Sequence, residues 1–465
     1  MQKKGVNFPP AAAPGTAGPY CRGQEGARPP CEGLCRSCRA EGCVKKETGD
    51  RFFRIRGGHP LKGTATVHGA KNSVLPIFAA TVLCRTPVHL ARVPRLSDTG
   101  VSLRILESLG CVCALSEDEA VVDPSSATGS RIPDRLVREM RSSSVFLGSV
   151  AARMGEAYLC LPGGCELGAR PIDLHLMGLR ALGMVIEEKG EKLHAYHNGL
   201  KGADITLPFP SVGATENILM AAVLAKGRTV LRGAAREPEI ADLCRFLRRC
   251  GAEIVGDGGP VLYIDGVKEL TGCSYTVMGD RIEAATLLIA AAVTGGEVEV
   301  KGFSPTDVGA VLGVLRRMGA DLKIYRDRVR LSAPGRLITP GRVDTAPFPG
   351  FPTDVQPVLT AAACLADGET VVCENIFDSR FKHLSQLAGM GADVRTEGRI
   401  AYIRGVKSLH GANLRALDLR GGAALVTAAL AAQGESQIHG LSHIERGYER
   451  LEDTLSALGA DIRRM

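Results

Sequence analysis

The residues with the most chemistry to offer lie in one run, Pro162-Gly163-Gly164-Cys165-Glu166-Leu167-Gly168-Ala169-Arg170-Pro171. Its glycines and prolines rule out a regular helix or strand. They specify a loop whose backbone can move and can approach a ligand closely. Within it a thiol is followed, a few residues on, by a guanidinium. Arg170 can grip an anion with its planar fork, and beside Cys165 it would favour the thiolate. On this run alone two readings stand: a mobile lid carrying a reactive cysteine over an anionic substrate, or a surface loop with an idle thiol.

A second group of thiols, Cys31, Cys35, Cys38 and Cys43, is spaced closely enough to hold zinc or an iron–sulfur cluster. The spacing lacks paired C-x2-C knuckles, and Pro and Gly crowd the same stretch. Residues 1–50 therefore read as a disordered Cys/Pro/Gly-rich tail, with the metal site as the lesser reading.

Composition narrows the substrate. The chain has 465 residues, enough for two or three cores, no Trp, and a formal net charge of +7, part of it in the tail. Few aromatic side chains argue against a nucleic-acid reader built on stacking. The modest positive excess fits an anionic small-molecule site better than a DNA-binding face. The fifteen cysteines are an odd count and mostly sit in apolar runs such as Leu83-Cys84 and Ala363-Cys364. Reduced thiols in the cytoplasm look like this. No segment is long and apolar enough to span a bilayer, and the N-terminus lacks the apolar stretch of a signal peptide.

The elements that must position the loop come from a repeat. A Leu-rich helix ending in Gly and running into a short strand recurs at Gly110, Gly183, Gly251, Gly319, Gly391 and Gly459. The period is about 70 residues, which marks a repeated structural unit. Each unit also carries an Ala-rich helix that ends in Gly before a β-branched strand, as in Ala221–Gly227 and Ala290–Gly295. These Ala-rich helices lack a polar face and should be buried. Six units predict two domains of three, with helices at each centre, sheets outside, and the site between the domains.

With the repeat in view, the chain resembles the UDP-N-acetylglucosamine enolpyruvyl transferases. The resemblance rests on the 162–175 loop and on Gly69-Ala70-Lys71-Asn72-Ser73, Met140-Arg141-Ser142-Ser143 and Ser211-Val212-Gly213-Ala214-Thr215. It also rests on Arg236–Ile240, Asp280–Glu283, Phe351-Pro352-Thr353-Asp354, Ser379-Arg380-Phe381, Asp418-Leu419-Arg420 and Glu445–Arg450. It runs from about Arg51 to the end, in order. It implies the two-domain, inside-out α/β barrel of six βαβαββ-type units. One domain would comprise 51–70 plus 280–465, and the other 71–279 with the Cys165 loop.

That family moves the enolpyruvyl group of phosphoenolpyruvate to the 3-hydroxyl of UDP-N-acetylglucosamine and releases phosphate, the first committed step of peptidoglycan synthesis. The resemblance makes Cys165 the proton donor and site of a phosphoenolpyruvate adduct, and the target of the epoxide antibiotic fosfomycin. Lys71, Asn72, Arg170 and Arg446 are its phosphoenolpyruvate ligands. Asp354 is the candidate base, and its apolar, Pro-stiffened turn suggests a pKa raised by desolvation. Asp418 either shares the proton work or orients Lys71 and Arg446. Arg380 and Arg420 line the same cleft. Asn72, Arg141, Arg170, Pro171, Ile172, Asp173, Leu174, Ser211, Val212, Gly213, Asp354 and Ile376 fall at nucleotide-sugar contacts. Guanidinium groups carry the charge stabilisation, so neither a metal nor another cofactor is implied. Two departures from one branch of the family stand out: Phe209-Pro210 where that branch has a basic residue, and Ser97, before Asp98, where it has Lys.

Three alternatives remain: the sister enzyme acting on shikimate 3-phosphate, which lacks the cysteine loop; a non-catalytic UDP-sugar-binding paralogue regulating wall synthesis; and a form regulated through the cysteine tail.

Overall fold

Each of the six repeat glycines ends a helix. Gly110, Gly183, Gly251, Gly319, Gly391 and Gly459 take φ values between 92° and 104°, in the left-handed region that a Cβ would strain. The chain turns there and leaves as a strand, beginning at Val112, Val185, Glu253, Asp321, Asp393 and Asp461. In this computed structural model residues 51–161, 172–333 and 335–465 are described, with Arg141 as backbone alone. They lie in one unit, residues 50–465, distinct from the first 49.

Among the described residues the strands form six sheets, five of four strands and one of three. The five share a plan. In one of them Ser274–Thr276 pairs parallel to Val88–Ala91, which pairs antiparallel to Glu119–Asp123, which pairs antiparallel to Val112–Ser116. The three-stranded sheet keeps the remnant of a parallel edge as a bridge from Arg131 to Tyr158. Its central strands alternate in burial, as a sheet with one wet face must.

The Ala-rich helices fill the interior. In Lys71–Thr81 every residue but Asn72 is buried, and in Arg281–Val293 every residue but Val293. Small side chains let such helices pack closely: a Cβ on Gly148 would lie 2.3 Å from the Asn217 carbonyl oxygen of the neighbouring helix. The apolar residues gather in two cores. One collects Val74 through Val277, and the other Phe53 through Val67 together with Ile282 through Ile462. The lobes around them are helices wrapped by sheets.

Two segments cross between the lobes side by side. Ala70 donates to the Met278 carbonyl at 2.8 Å, and Asp280 to that of His68 at 2.9 Å. The crossing is tight: a Cβ on Gly69 would stand 1.8 Å from the Arg92 carbonyl oxygen, and one on Gly279 1.9 Å from that of Gly302. Arg92 pins both sides by donating to the carbonyls of Val67 and Gly302 at 2.6 Å. Each crossing segment leads directly into a central helix, Lys71–Thr81 in one lobe and Arg281–Val293 in the other.

Candidate active site

Several of the charged residues picked out by their motifs, Lys71, Asp280, Arg281, Asp418 and Arg420, sit at the starts of central helices. A helix begins with unsatisfied N–H groups and the positive end of its dipole, so its N-terminus favours anions. Asp280 caps Arg281–Val293 by accepting from the N–H groups of Ile282 and Glu283 at 2.8 and 3.0 Å. Its other oxygen accepts the Lys71 N–H at 3.1 Å, joining two helix starts from opposite lobes. Asp418 caps Leu419–Ala431 through the N–H groups of Arg420 and Gly421 at 3.0 and 2.9 Å.

Lys71 is buried, and its ammonium donates to Asp98 at 2.8 Å. The same carboxylate accepts from Nε and one terminal nitrogen of the Arg446 guanidinium at 3.1 and 3.2 Å. Burial pulls the Lys71 pKa down; Asp98 opposes that fall, while Arg420 and Arg446 add to it. Burial alone would raise the Asp98 pKa, but Lys71 and Arg446 hold it below its usual range. Asp98 was not a sequence candidate; among the described residues it, and not Asp418, bonds both Lys71 and Arg446. Asp418 is engaged in capping its helix, and no bond to Lys71 or Arg446 is present among the described residues.

Asp354 lies between two buried guanidiniums. Arg380 donates to one oxygen at 2.7 Å and Arg420 to the other at 2.9 Å. Burial pushes the carboxyl up, but Arg420 and Arg380 outweigh it and hold it well below the carboxylate range. The expectation of a raised pKa is therefore corrected: the turn is desolvated, but its neighbours are cations. Two donors of Arg420, Nε and one terminal nitrogen, are buried without a partner among the described residues, and its guanidinium lies 5.3 Å from the Tyr448 ring centroid.

Other candidates fall into place around these. Asn72 is exposed beside Lys71 at the start of its helix. Ile376 belongs to a turn wound on Glu374, whose carboxylate accepts the Ile376 N–H at 2.9 Å and the Thr353 hydroxyl at 3.0 Å, next to Asp354. Ile172, Asp173 and Leu174 lead into the helix Asp173–Ala181. Ser211, Val212 and Gly213 open the helix Val212–Ala222, with the Ser211 hydroxyl accepting from Ala214. These two helix starts touch: a Cβ on Gly213 would meet His175 Nε2 at 2.5 Å. Burial holds His175 to a pKa of about 4, so it is neutral there. Cys165, Arg170, Pro171 and the tail cysteines Cys31, Cys35, Cys38 and Cys43 lie outside the described residues, as does the Arg141 side chain.

A third charged group escaped the sequence reading. Arg281 donates to Glu239 at 2.9 Å across the lobes, and the Glu237 carboxylate accepts the Phe348 N–H at 3.2 Å. Behind them burial, with Glu239 and Glu237, raises Glu216 to a pKa of about 8. Their motifs offered Arg281, Glu237 and Glu239 as matches, but carried no sign that they would pair. A cavity of about 530 Å³, lined in part by Gly57, Arg336, Lys407 and Gln433, opens instead at the C-terminal end of Leu419–Ala431. A thirteen-residue helix separates that end from Asp418 by roughly 20 Å.

Six helix-and-sheet units in two lobes, with cations gathered at helix N-termini where the lobes meet, define an enolpyruvyl transferase. Residues 55–455 match the family model described as EPSP synthase (3-phosphoshikimate 1-carboxyvinyltransferase). In fold, the chain is similar to the enolpyruvyl transferase NikO from Streptomyces tendae, with a TM-score of 0.81 at 24% identity over 90% of this chain and 99% of that one. It is also similar to EPSP synthase from Acinetobacter baumannii, with a TM-score of 0.69 at 22% identity over 89% and 99%.

Within that class the chain belongs to the UDP-N-acetylglucosamine 1-carboxyvinyltransferase family. It is 46% identical over 413 residues to UDP-N-acetylglucosamine 1-carboxyvinyltransferase 2 of Caldanaerobacter subterraneus, covering 89% of this chain and 99% of the relative. It is 47% identical over 410 residues to the enzyme of that name from Nitratidesulfovibrio vulgaris, covering 88% and 98%.

Proposed function

We propose that the protein transfers the enolpyruvyl group of phosphoenolpyruvate to the 3-hydroxyl of UDP-N-acetylglucosamine, releasing phosphate, and so opens peptidoglycan synthesis. The observation that carries this reading is the assembly of Lys71, Arg446, Arg380 and Arg420 about two carboxylates at the helix starts. Phosphoenolpyruvate brings a phosphate and a carboxylate, and a site with this many cations suits it. The acceptor follows from relatives at 45–47% identity whose names specify UDP-N-acetylglucosamine. The start of Asp173–Ala181, the turn at Ser211–Gly213 and Ile376 would hold the nucleotide sugar, with Asn72, Arg141, Arg170 and Pro171.

The reaction is addition followed by elimination. Cys165 delivers a proton to C3 of phosphoenolpyruvate, and positive character develops at C2. The sugar oxygen bonds to C2 while Asp354 accepts its proton. The Cys165 thiolate then takes a proton back from C3 as the bond from C2 to the phosphate oxygen breaks, and phosphate leaves. Asp354 is ionised at neutral pH and aimed by two guanidiniums, so its strength lies in position rather than basicity. Lys71, Arg170 and Arg446 hold the phosphate and carboxylate while charge moves through the intermediate.

Among the described residues no helix is long and apolar enough to cross a membrane. The nine described cysteines are free thiols, which supports the cytoplasm as the compartment.

Purified protein should release phosphate from phosphoenolpyruvate when UDP-N-acetylglucosamine is present. Release with shikimate 3-phosphate instead, or with neither acceptor, overturns the reading. Cys165→Ser should lose most turnover, and intact-mass measurement should show that fosfomycin no longer adds to the chain. Undiminished turnover in that variant would remove the thiol from the chemistry.

A further inference from the structure

Phosphoenolpyruvate ligands have to be aimed as well as charged. Lys71 and Asp98 lie in one lobe, on the packed helices Lys71–Thr81 and Ser97–Ser108, and Arg446 lies in the other. The Asp98 side chain is 3% exposed and holds the Lys71 ammonium together with Nε and one terminal nitrogen of Arg446. A second bond joins the same two segments: the Arg95 N–H donates to the Glu449 carboxylate at 2.7 Å. The stretch from Arg95 to Asp98 is thus fastened at two points to the stretch from Arg446 to Glu449.

We propose that Asp98 is a positioning residue for the reaction, joining Lys71 and Arg446 across the lobes into one anion-binding pair. This rests on the enolpyruvyl-transfer reading above. Donor counting supports it. An ammonium has three N–H bonds and a guanidinium five, so a carboxylate held at one edge of each leaves the remaining donors free. Asp98 fixes which way those donors point, so that both cations can serve one anionic group of phosphoenolpyruvate.

Asp98 also keeps Lys71 charged. The groups that face Lys71 are Asp98, Arg420 and Arg446, with Asp280 at its backbone N–H. Of the charges acting most on the ammonium, Asp98 alone supports it. Neutralising that carboxylate while both guanidiniums stay in place should let Lys71 lose its proton at a lower pH.

The test is Asp98→Asn beside Asp98→Glu, with kcat and both KM values followed against pH. Asp98→Asn should raise the KM for phosphoenolpyruvate about tenfold or more and leave that for UDP-N-acetylglucosamine within about twofold. The alkaline limb of kcat/KM for phosphoenolpyruvate should move down by about one pH unit. Asp98→Glu retains the charge and perturbs packing, so its alkaline limb should stay where the wild type has it. Equal rises in both KM values, or an alkaline limb that moves alike in both variants or in neither, would overturn the proposal. Should Asp98→Asn not fold, a displaced limb in Asp98→Glu alone overturns it. Wild-type phosphate release, measured alongside, separates the two claims. Its absence with UDP-N-acetylglucosamine overturns the reaction and the proposal together, whereas normal turnover with unaltered Asp98 variants removes the proposal alone.

Discussion

Asp354 and Asp98 each hold two cations, in opposite settings. Asp354 takes Arg380 and Arg420 from its own lobe, and both guanidiniums are buried. Asp98 takes Lys71 from its own lobe and Arg446 from the other, and Arg446 is 32% exposed. The first trio is a fixed electrostatic frame, complete within one packed core. The second exists only while the lobes face one another correctly. A carboxylate between cations can thus serve either as preorganised scaffolding or as a link between moving parts, and the origin of its partners decides which.

That contrast can be broken at its stronger end first. Asp354→Asn removes the counter-charge of two buried guanidiniums as well as the candidate base. Phosphate release should fall by about 10³-fold. Thermal unfolding should show a loss of about 3–5 kcal/mol, the cost of stranding buried charges. The Asp98→Asn variant should fall less and mainly in the KM for phosphoenolpyruvate, because water can reach Arg446. If both variants lose stability and turnover equally, the distinction between frame and link is wrong.

Asp418 sharpens the comparison by lacking such a role. Asp418→Ala should cost about 1 kcal/mol of stability, the usual value of a helix cap, with a smaller loss of turnover than Asp354→Asn. A loss of turnover as large as that of Asp354→Asn would return Asp418 to the proton chemistry.

The mildest change should come from a carboxyl that faces other carboxyls. Glu216 has a pKa of about 8, against an ordinary 4.5, through burial and the neighbouring Glu239 and Glu237. Between those pH values the folded chain keeps a proton that the unfolded chain has released. Its contribution to stability therefore declines as pH rises through that window and then levels off. Glu216→Gln should flatten the decline in melts taken across the window and leave turnover near pH 7 unchanged. An unchanged slope would mean that Glu216 ionises freely in the fold.

Much of this was legible in sequence because it repeats. The six glycines and the Ala-rich helices announce themselves by period and composition, and the structure places every one of those glycines at a helix end. Lys71, Arg446, Arg380 and Arg420 were legible through the motifs around them. Asp98 was not, because an acidic residue in the first turn of an amphipathic helix is commonplace, and its partner Arg446 lies 348 positions away. The ionisation of Asp354 failed for the same reason. The sequence displays the apolar turn, while the decisive guanidiniums arrive from 26 and 66 residues further on.

The paired crossing at Gly69 and Gly279 sets an order of assembly. The core of Val74 through Val277 is drawn from one contiguous stretch and can close once that stretch has left the ribosome. The other core must wait. Its first strand, Phe52–Arg56, sits between Glu435–His439 and Asp461–Arg464, so the first of the described strands pairs with nearly the last of them. Arg446 arrives in that same final stretch. A nascent or C-terminally truncated chain can thus hold one finished lobe and still lack the cation that completes the site. On this wiring the site is complete only when the stretch holding Arg446 has closed against Phe52–Arg56.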